Sequence, residues 1–263
     1  MNPLTAVFTS SIGKKFLMAL TGLVLAGFVL GHMLGNLQIF GPPKAINGYA
    51  YFLHQVLPWE VLYAIRFFLL GAVGIHIAMA VLLVIENRRA RPQTYDRQKL
   101  HESTFAARTM KYTGTVLLIF IVFHILHFTI QSIDPAYSNF RYQLGLERET
   151  QDVYAMMIYG FSNPLFSVFY IIATGLLCWH LAHGFSSMFQ TLGLRNEVWR
   201  KRLNVAALAY GWIVFLGFAI IPASVLASWY GGANIVDARP IKEAVADWDG
   251  QTPIYITYFN DEH

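Results

Sequence analysis

"LTGLVLAGFVLGHMLGN", residues 20–36, decides how this chain is read. It is an uncharged apolar run with a histidine deep inside it. Residues 112–128, "YTGTVLLIFIVFHILHF", repeat the arrangement. In both, a Thr-Gly pair is followed by a histidine ten residues after the glycine: Gly22 to His32, and Gly114 to His124. About 20 such residues are what a helix needs to cross a hydrocarbon core of roughly 30 Å. Imidazoles are costly there, so finding them at matched depths asks for a function.

Composition sets the class. Of 263 residues, 56% are hydrophobic, 15% aromatic and only 13% charged, too apolar for an ordinary soluble domain. Mean hydropathy is +0.45. Charge is confined to short segments between long uncharged runs, so the net charge of +4 reads as a topology signal and not as a nucleic-acid footprint. The single cysteine, Cys178, rules out an internal disulfide, and there is no Cys-x-x-Cys-His for covalent haem attachment. The expected fold is an all-α membrane protein.

Five apolar stretches approach or exceed the spanning length: residues 16–37, 58–85, 112–133, 164–190 and 205–229. The first follows Lys14 and Lys15 as a signal peptide would. It is long, contains His32 and lacks a clean small-x-small cleavage site, so it reads as a helix. Between the second and third spans lie Arg88, Arg89, Arg91, Arg97, Lys99, Arg108 and Lys111. Between the fourth and fifth lie Arg195, Arg200, Lys201 and Arg202. The opposite loops hold only Lys44, and Arg141 with Arg148. The positive-inside rule then puts the N-terminus in the cytoplasm and the C-terminus outside. Residues 1–230 form the membrane domain. Residues 231–263, with Asp237, Asp247, Asp249, Asp261 and Glu262, read as an acidic, solvated appendage.

Six of the nine histidines fall within the spans: His32, His76, His124, His127, His180 and His183. A lone intramembrane histidine reads first as an interhelical hydrogen bond, but recurrence in four helices favours a shared task. At 1.5 Å rise per residue, His32 and His124 lie roughly 24 and 18 Å from the cytoplasmic face. His76 and His180, on spans running inward, lie within roughly 3–6 Å of the cytoplasmic edge. His32 therefore groups with His124, and His76 with His180. Paired imidazoles on facing helices suit a planar metal macrocycle, one nitrogen on each side of the iron. Without cysteine attachment the haems are b-type. Small residues beside the histidines (Gly31, Gly35, Gly71, Gly74, Ala78, Gly175 and Gly184) would let a flat ring reach the backbones, though they also serve plain helix packing. Zinc would want three or four clustered ligands. His127 and His183 each follow a candidate ligand by three residues and share its helical face. The glycine spacing favours His124 over His127, whereas spacing alone does not separate His180 from His183. His54, His101 and His263, in loops or the tail, are assigned nothing.

These residues resemble a known family, the diheme cytochrome b membrane subunits of succinate dehydrogenases and quinol:fumarate reductases, in their single-polypeptide, five-helix form. The likeness covers roughly residues 10–229. It is carried by "SSIGKKFLMALTGLVLAGFVLGHMLGN", "GIHIAMA", "YTGTVLLIFIVFHILHF" and "CWHLAHGFSSMFQTLG". The resemblance implies one axial ligand on each of the first four helices, bundled around two b haems. These are His32 and His124 for the outer haem, and His76 and His180 for the inner. The family places the fourth ligand four residues before one glycine and thirteen before another. Gly184 and Gly193 meet that from His180, leaving His127 and His183 as neighbours or alternative ligands.

The resemblance also implies partners. A flavoprotein with covalent FAD interconverts succinate and fumarate, and an iron–sulfur subunit passes the electrons to this anchor in a bacterial cytoplasmic membrane. Nothing in this chain could perform the dicarboxylate chemistry, since it has neither a nucleotide fingerprint nor a ferredoxin-type cysteine set. Glu60, opening the second span on the outer side, is a candidate proton carrier for quinone chemistry with menaquinone; it also suits the helix dipole. Arg66, two turns further on, is a candidate haem-propionate partner, with snorkelling or a pair to Glu60 as the plain alternative. Two other readings stand beside this one: the cytochrome b anchor of a hydrogenase or formate dehydrogenase, and a transporter whose histidines relay protons. A reduced-minus-oxidised spectrum separates the transporter, and co-purifying subunits separate the cytochromes.

Overall fold

The computed structural model describes residues 10–90, 105–145, 148–194 and 196–258. Arg91, Arg97, Lys99, His101, Arg195, Asp261, Glu262, His263 and the side chain of Arg108 lie outside the described residues. Helix α1 (Ser11–Asn36) continues into a 3-10 turn (Leu37–Phe40), and α2 (Pro43–Tyr51) into a π turn (Phe52–Val56). Then come α3 (Trp59–Arg89) and α4 (Phe105–His124), which closes in a π turn (Ile125–Thr129). A 3-10 turn (Pro135–Ser138), β1 (Phe140–Gln143), β2 (Glu149–Gln151) and α5 (Val153–Ser162) follow. The chain ends with α6 (Pro164–Thr191), α7 (Glu197–Gly231), α8 (Arg239–Ala246) and β3 (Ile254–Tyr255).

Among the described residues, five helices are long and apolar enough to cross a membrane: Ser11–Phe40, Trp59–Arg89, Thr109–Thr129, Pro164–Thr191 and Glu197–Gly231. Their exposed positions carry Leu, Ile, Val and Phe, as for surfaces that face lipid. Their ends differ from the hydropathy boundaries for local reasons. The first begins at Ser11, where Ser10 Oγ accepts from Gly13 N at 3.0 Å, and it includes Lys14, buried in an ion pair with Glu86. The third stops at Thr129, where the backbone turns through Gln131 at φ 61°. The fifth starts at Glu197, capped by Asn196, whose side chain accepts from Trp199 N at 2.9 Å; Arg200, Lys201 and Arg202 ride on the helix instead of in a loop. Helix α6 closes on Gly193, at φ 74°, with Leu194 N bonded to Phe189 O at 3.0 Å and Gly193 N to Gln190 O at 3.2 Å.

Packing divides the chain into two compact units. One comprises Met1–Leu30, Tyr63–Thr115 and Leu177–Ile213. Within it, α7 meets α6 backbone to backbone: a Cβ on Gly211 would stand 2.7 Å from Cys178 O. Tyr210 Oη donates to Ala26 O at 2.6 Å.

The other unit comprises Gly31–Leu62, Val116–Leu176 and Val214–His263 and holds a dense core of Phe140, Ile158, Tyr170, Val225, Ile241, Ile254 and their neighbours. Its sheet runs β2–β1–β3, with β2 antiparallel and β3 parallel to β1, so that Phe140 faces Ile254. Asp152 is fully buried, caps α5 through Ala155 N at 2.9 Å, and accepts from Asn47 Nδ2 at 2.9 Å and Tyr258 Oη at 2.6 Å. The C-terminal segment is therefore no solvated appendage. Val236, Ala238, Ile241, Ile254 and Tyr258 are buried in this core, Asp237 is half-buried, and Glu243, Asp247 and Asp249 face outward.

Candidate functional site

Four of the span histidines form two facing pairs, one in each unit. The rings of His32 and His124 have centroids 5.7 Å apart and cross at 76°. Those of His76 and His180 are 6.4 Å apart at 59°. All four are half-buried.

What holds each ring bears on what it can bind. His76 Nδ1 lies 3.1 Å from Met18 O and 3.3 Å from Thr21 Oγ1. His180 Nδ1 lies 3.2 Å from Thr113 Oγ1. His124 Nδ1 lies 3.3 Å from Tyr170 Oη. In these three rings the protein engages Nδ1 and leaves Nε2 for another partner, the arrangement of a metal-ligating imidazole. His32 differs: its Nε2 lies 3.4 Å from Asn36 Nδ2, one turn along α1, and its ring stands 5.9 Å from that of Phe218. An added methyl at Gly31, Gly71, Gly74 or Gly184 would meet no atom within 4 Å, so the backbone beside the histidines is bare there. Gly35 and Gly175 instead pack against Tyr49 and Phe215. Among the described residues no group of three or more His, Cys, Asp or Glu could enclose an ion. Two facing imidazoles suit a group that brings its other ligands with it, as haem does.

His127 is a different kind of residue from His124. It is fully buried, and both nitrogens are taken: Nδ1 by Tyr170 Oη at 3.0 Å and Nε2 by Tyr137 Oη at 2.8 Å. Burial, with Asp134 and Tyr159 nearby, raises the Tyr137 hydroxyl above its ordinary range, so it stays a neutral hydrogen-bonding group. Tyr159 donates to Asp134 Oδ2 at 3.0 Å and is pushed up to about 12, by burial first and by that bond. Gly160 is needed here, because a Cβ would stand 2.8 Å from Phe128 Cε1 and 3.3 Å from His127 Nε2. His183 is half-buried one turn beyond His180. Glu60 is exposed on the first turn of α3, and Arg66 is exposed with its guanidinium 5.4 Å from the centre of the Tyr63 ring.

Residues 86–218, about half the chain, match the family model described as the Succinate dehydrogenase/Fumarate reductase transmembrane subunit. The chain belongs to this family. No curated protein and no solved structure matches it. As a member of the succinate dehydrogenase/fumarate reductase transmembrane subunits, it is a multi-pass membrane anchor of such an oxidoreductase complex. The matched segment contains His124, His127, His180 and His183; His32, His76, Glu60 and Arg66 precede it.

Composition and spacing pointed to the histidines but not to the groups that hold them. Tyr137 and Tyr170 sit in no motif. Thr21 and Thr113 were visible as repeated Thr-Gly steps, but their partners are on other helices, which no local pattern discloses.

Proposed function

We propose that this subunit is the diheme, quinone-linked electron carrier of its complex, with one b-type haem held by His32 and His124 and the other by His76 and His180. The observation that carries the reading is the two facing imidazole pairs, in which three of the four rings are held at Nδ1 with Nε2 left for a metal. When bound, haem supplies one-electron carriage, linking an iron–sulfur partner to membrane quinone. The chain's own residues set ring orientation and tautomer, and hold each haem within apolar helices. Tyr170 and His127 brace His124 from behind, so His127 acts as a support and not as a ligand.

The partners on the cytoplasmic face are the iron–sulfur subunit and, beyond it, the FAD flavoprotein; Arg88, Arg89, Lys111, Arg200, Lys201 and Arg202 supply the basic docking surface. The membrane is the bacterial cytoplasmic membrane, with the N-terminus inside and the C-terminus outside. Residues 1–230 carry the haems, and the C-terminal tail, residues 231–263, is on the outer side. Glu60 is the proton carrier at an outer menaquinone site, and Arg66 pairs with a haem propionate.

Pyridine haemochrome quantification of the purified complex tests the reading. Two haems per chain are expected, with His32→Ala and His124→Ala losing one, and His76→Ala and His180→Ala losing the other. A ratio near one, or loss of the same haem from His32→Ala and His76→Ala, refutes it.

A further inference from the structure

The Thr-Gly steps that open the two matched runs do not serve the histidine that follows each of them. Thr21-Gly22, on α1, lies against His76 of α3; Thr113-Gly114, on α4, lies against His180 of α6. The two contacts share one geometry. Each threonine Oγ1 stands beside the imidazole Nδ1, at 3.3 and 3.2 Å. Each glycine faces the adjacent Cε1, where an added Cβ would lie 3.2 Å from His76 and 3.7 Å from His180.

A hydroxyl has one proton to give, and here it is already committed. Thr21 Oγ1 donates to Leu17 O at 2.8 Å, and Thr113 Oγ1 donates to Met110 O at 3.1 Å, each back along its own helix. What each oxygen turns toward the imidazole is a lone pair, so the proton between them belongs to Nδ1. In a neutral imidazole that leaves Nε2 unprotonated and able to bind a metal.

We propose that Thr21-Gly22 and Thr113-Gly114 are positioning residues for the haem ligands His76 and His180: each threonine fixes the Nδ1–H tautomer and the ring plane, and each glycine lets the ring lie against the helix backbone. The inference rests on the diheme reading above and adds the residues that prepare one of its two sites.

The two cradles are unequal, and the inequality is testable. His76 Nδ1–H has a second acceptor, Met18 O at 3.1 Å, whereas Thr113 is the one acceptor shown for His180 among the described residues. Removing the hydroxyl therefore weakens the His180 side more. The glycines run the other way. A Cβ at 3.2 Å forces the His76 ring to move, while one at 3.7 Å is an ordinary contact with His180.

The experiment uses the assembled complex in detergent, with low-temperature EPR of each haem and the rate of haem loss to excess apomyoglobin. Thr113→Val is expected to shift the signal of the haem that His180→Ala removes and to weaken its retention by roughly 10–100-fold, as loss of a partner behind a metal-bound histidine does. Thr21→Val should do the same to a smaller degree, Thr113→Ser should restore the wild-type signal, and Gly22→Ala should disturb that haem more than Gly114→Ala. An unmoved signal and loss rate in Thr113→Val, or a change confined to the haem that His124→Ala removes, overturns the inference while leaving the diheme reading intact. Wild-type complex without haem overturns both. Should Thr113→Val fail to assemble, the order of the two glycine variants decides alone, with equal effects refuting the cradle.

Discussion

Replacing Asp152 with alanine should be among the most damaging changes outside the spans. Its carboxylate is fully buried and accepts from Ala155 N, Asn47 Nδ2 and Tyr258 Oη, at 2.9, 2.9 and 2.6 Å. Loss of the α5 cap costs about 0.5–2 kcal/mol. The Asn47 amide, itself fully buried, and the Tyr258 hydroxyl are then left without this acceptor, at about 1–3 kcal/mol each. The sum is on the order of 2.5–8 kcal/mol, mostly above the roughly 0.5–3 kcal/mol of most point mutants. Tyr258→Phe removes only one donor, of the charge-assisted kind, and should cost about 1.5–3 kcal/mol. Thermal unfolding of the detergent-solubilised complex gives the order, and limited proteolysis near residues 231–258 reports release of the C-terminal segment. The damage should also reach the haem proposed for His32 and His124, because Tyr137, which holds His127 Nε2, belongs to the same core. An Asp152→Ala protein that unfolds with wild type, or a Tyr258→Phe protein that unfolds earlier than Asp152→Ala, would refute this role of Asp152.

Three further outcomes are expected. Glu60→Gln should leave both haems and succinate oxidation with artificial acceptors unchanged but lower quinone-linked turnover at least roughly tenfold; wild-type turnover would reduce Glu60 to a helix-start residue. His183→Ala should keep both haems in a spectral assay, whereas loss of the haem assigned to His180 would transfer the ligand role. Burial raises the Asp237 carboxyl above its ordinary 3.8, with Arg239 drawing it partly back. The stability tied to its protonated form is complete below that value and lost as pH rises through the raised one. Asp237→Asn should therefore raise thermal stability at pH 7 and leave it unchanged near pH 3, and equal shifts at both would refute this.

Hydropathy located all five spans, because an uncharged 20-residue run has few other uses. It misplaces their ends, because it scores charge and not helix formation: Lys14 lies inside α1 and Arg200, Lys201 and Arg202 inside α7. The small sheet was not legible. Its strands have four, three and two residues, too few for an alternation to register, and β1 joins β3 across more than a hundred residues. The C-terminal segment misled for a related reason. Its acidic residues dominate the composition, while Ile241, Ile254 and Tyr258, which pack, are spread thinly among them.

The repeated Thr-Gly…His pattern shows where sequence reasoning halts and why. Read along the chain, the repeat invites one meaning per helix: the glycine marks the histidine ten residues on. Read across the structure, α1 and α4 each do two jobs. Each offers a histidine to the other, His32 to His124, and three turns earlier each presents a hydroxyl and a bare backbone to a histidine of α3 or α6. A fixed interval of ten residues keeps both jobs on one helix, so the interval is constrained from both ends. The constraint is separable by experiment. Moving Thr113 by one residue within α4 while holding His124 in place should disturb the haem of His76 and His180 and spare the haem of His32 and His124. Moving His124 with Thr113 fixed should do the reverse. If each shift disturbed both haems alike, the interval would reflect packing of the helices alone, and the doubled use of α1 and α4 would be wrong.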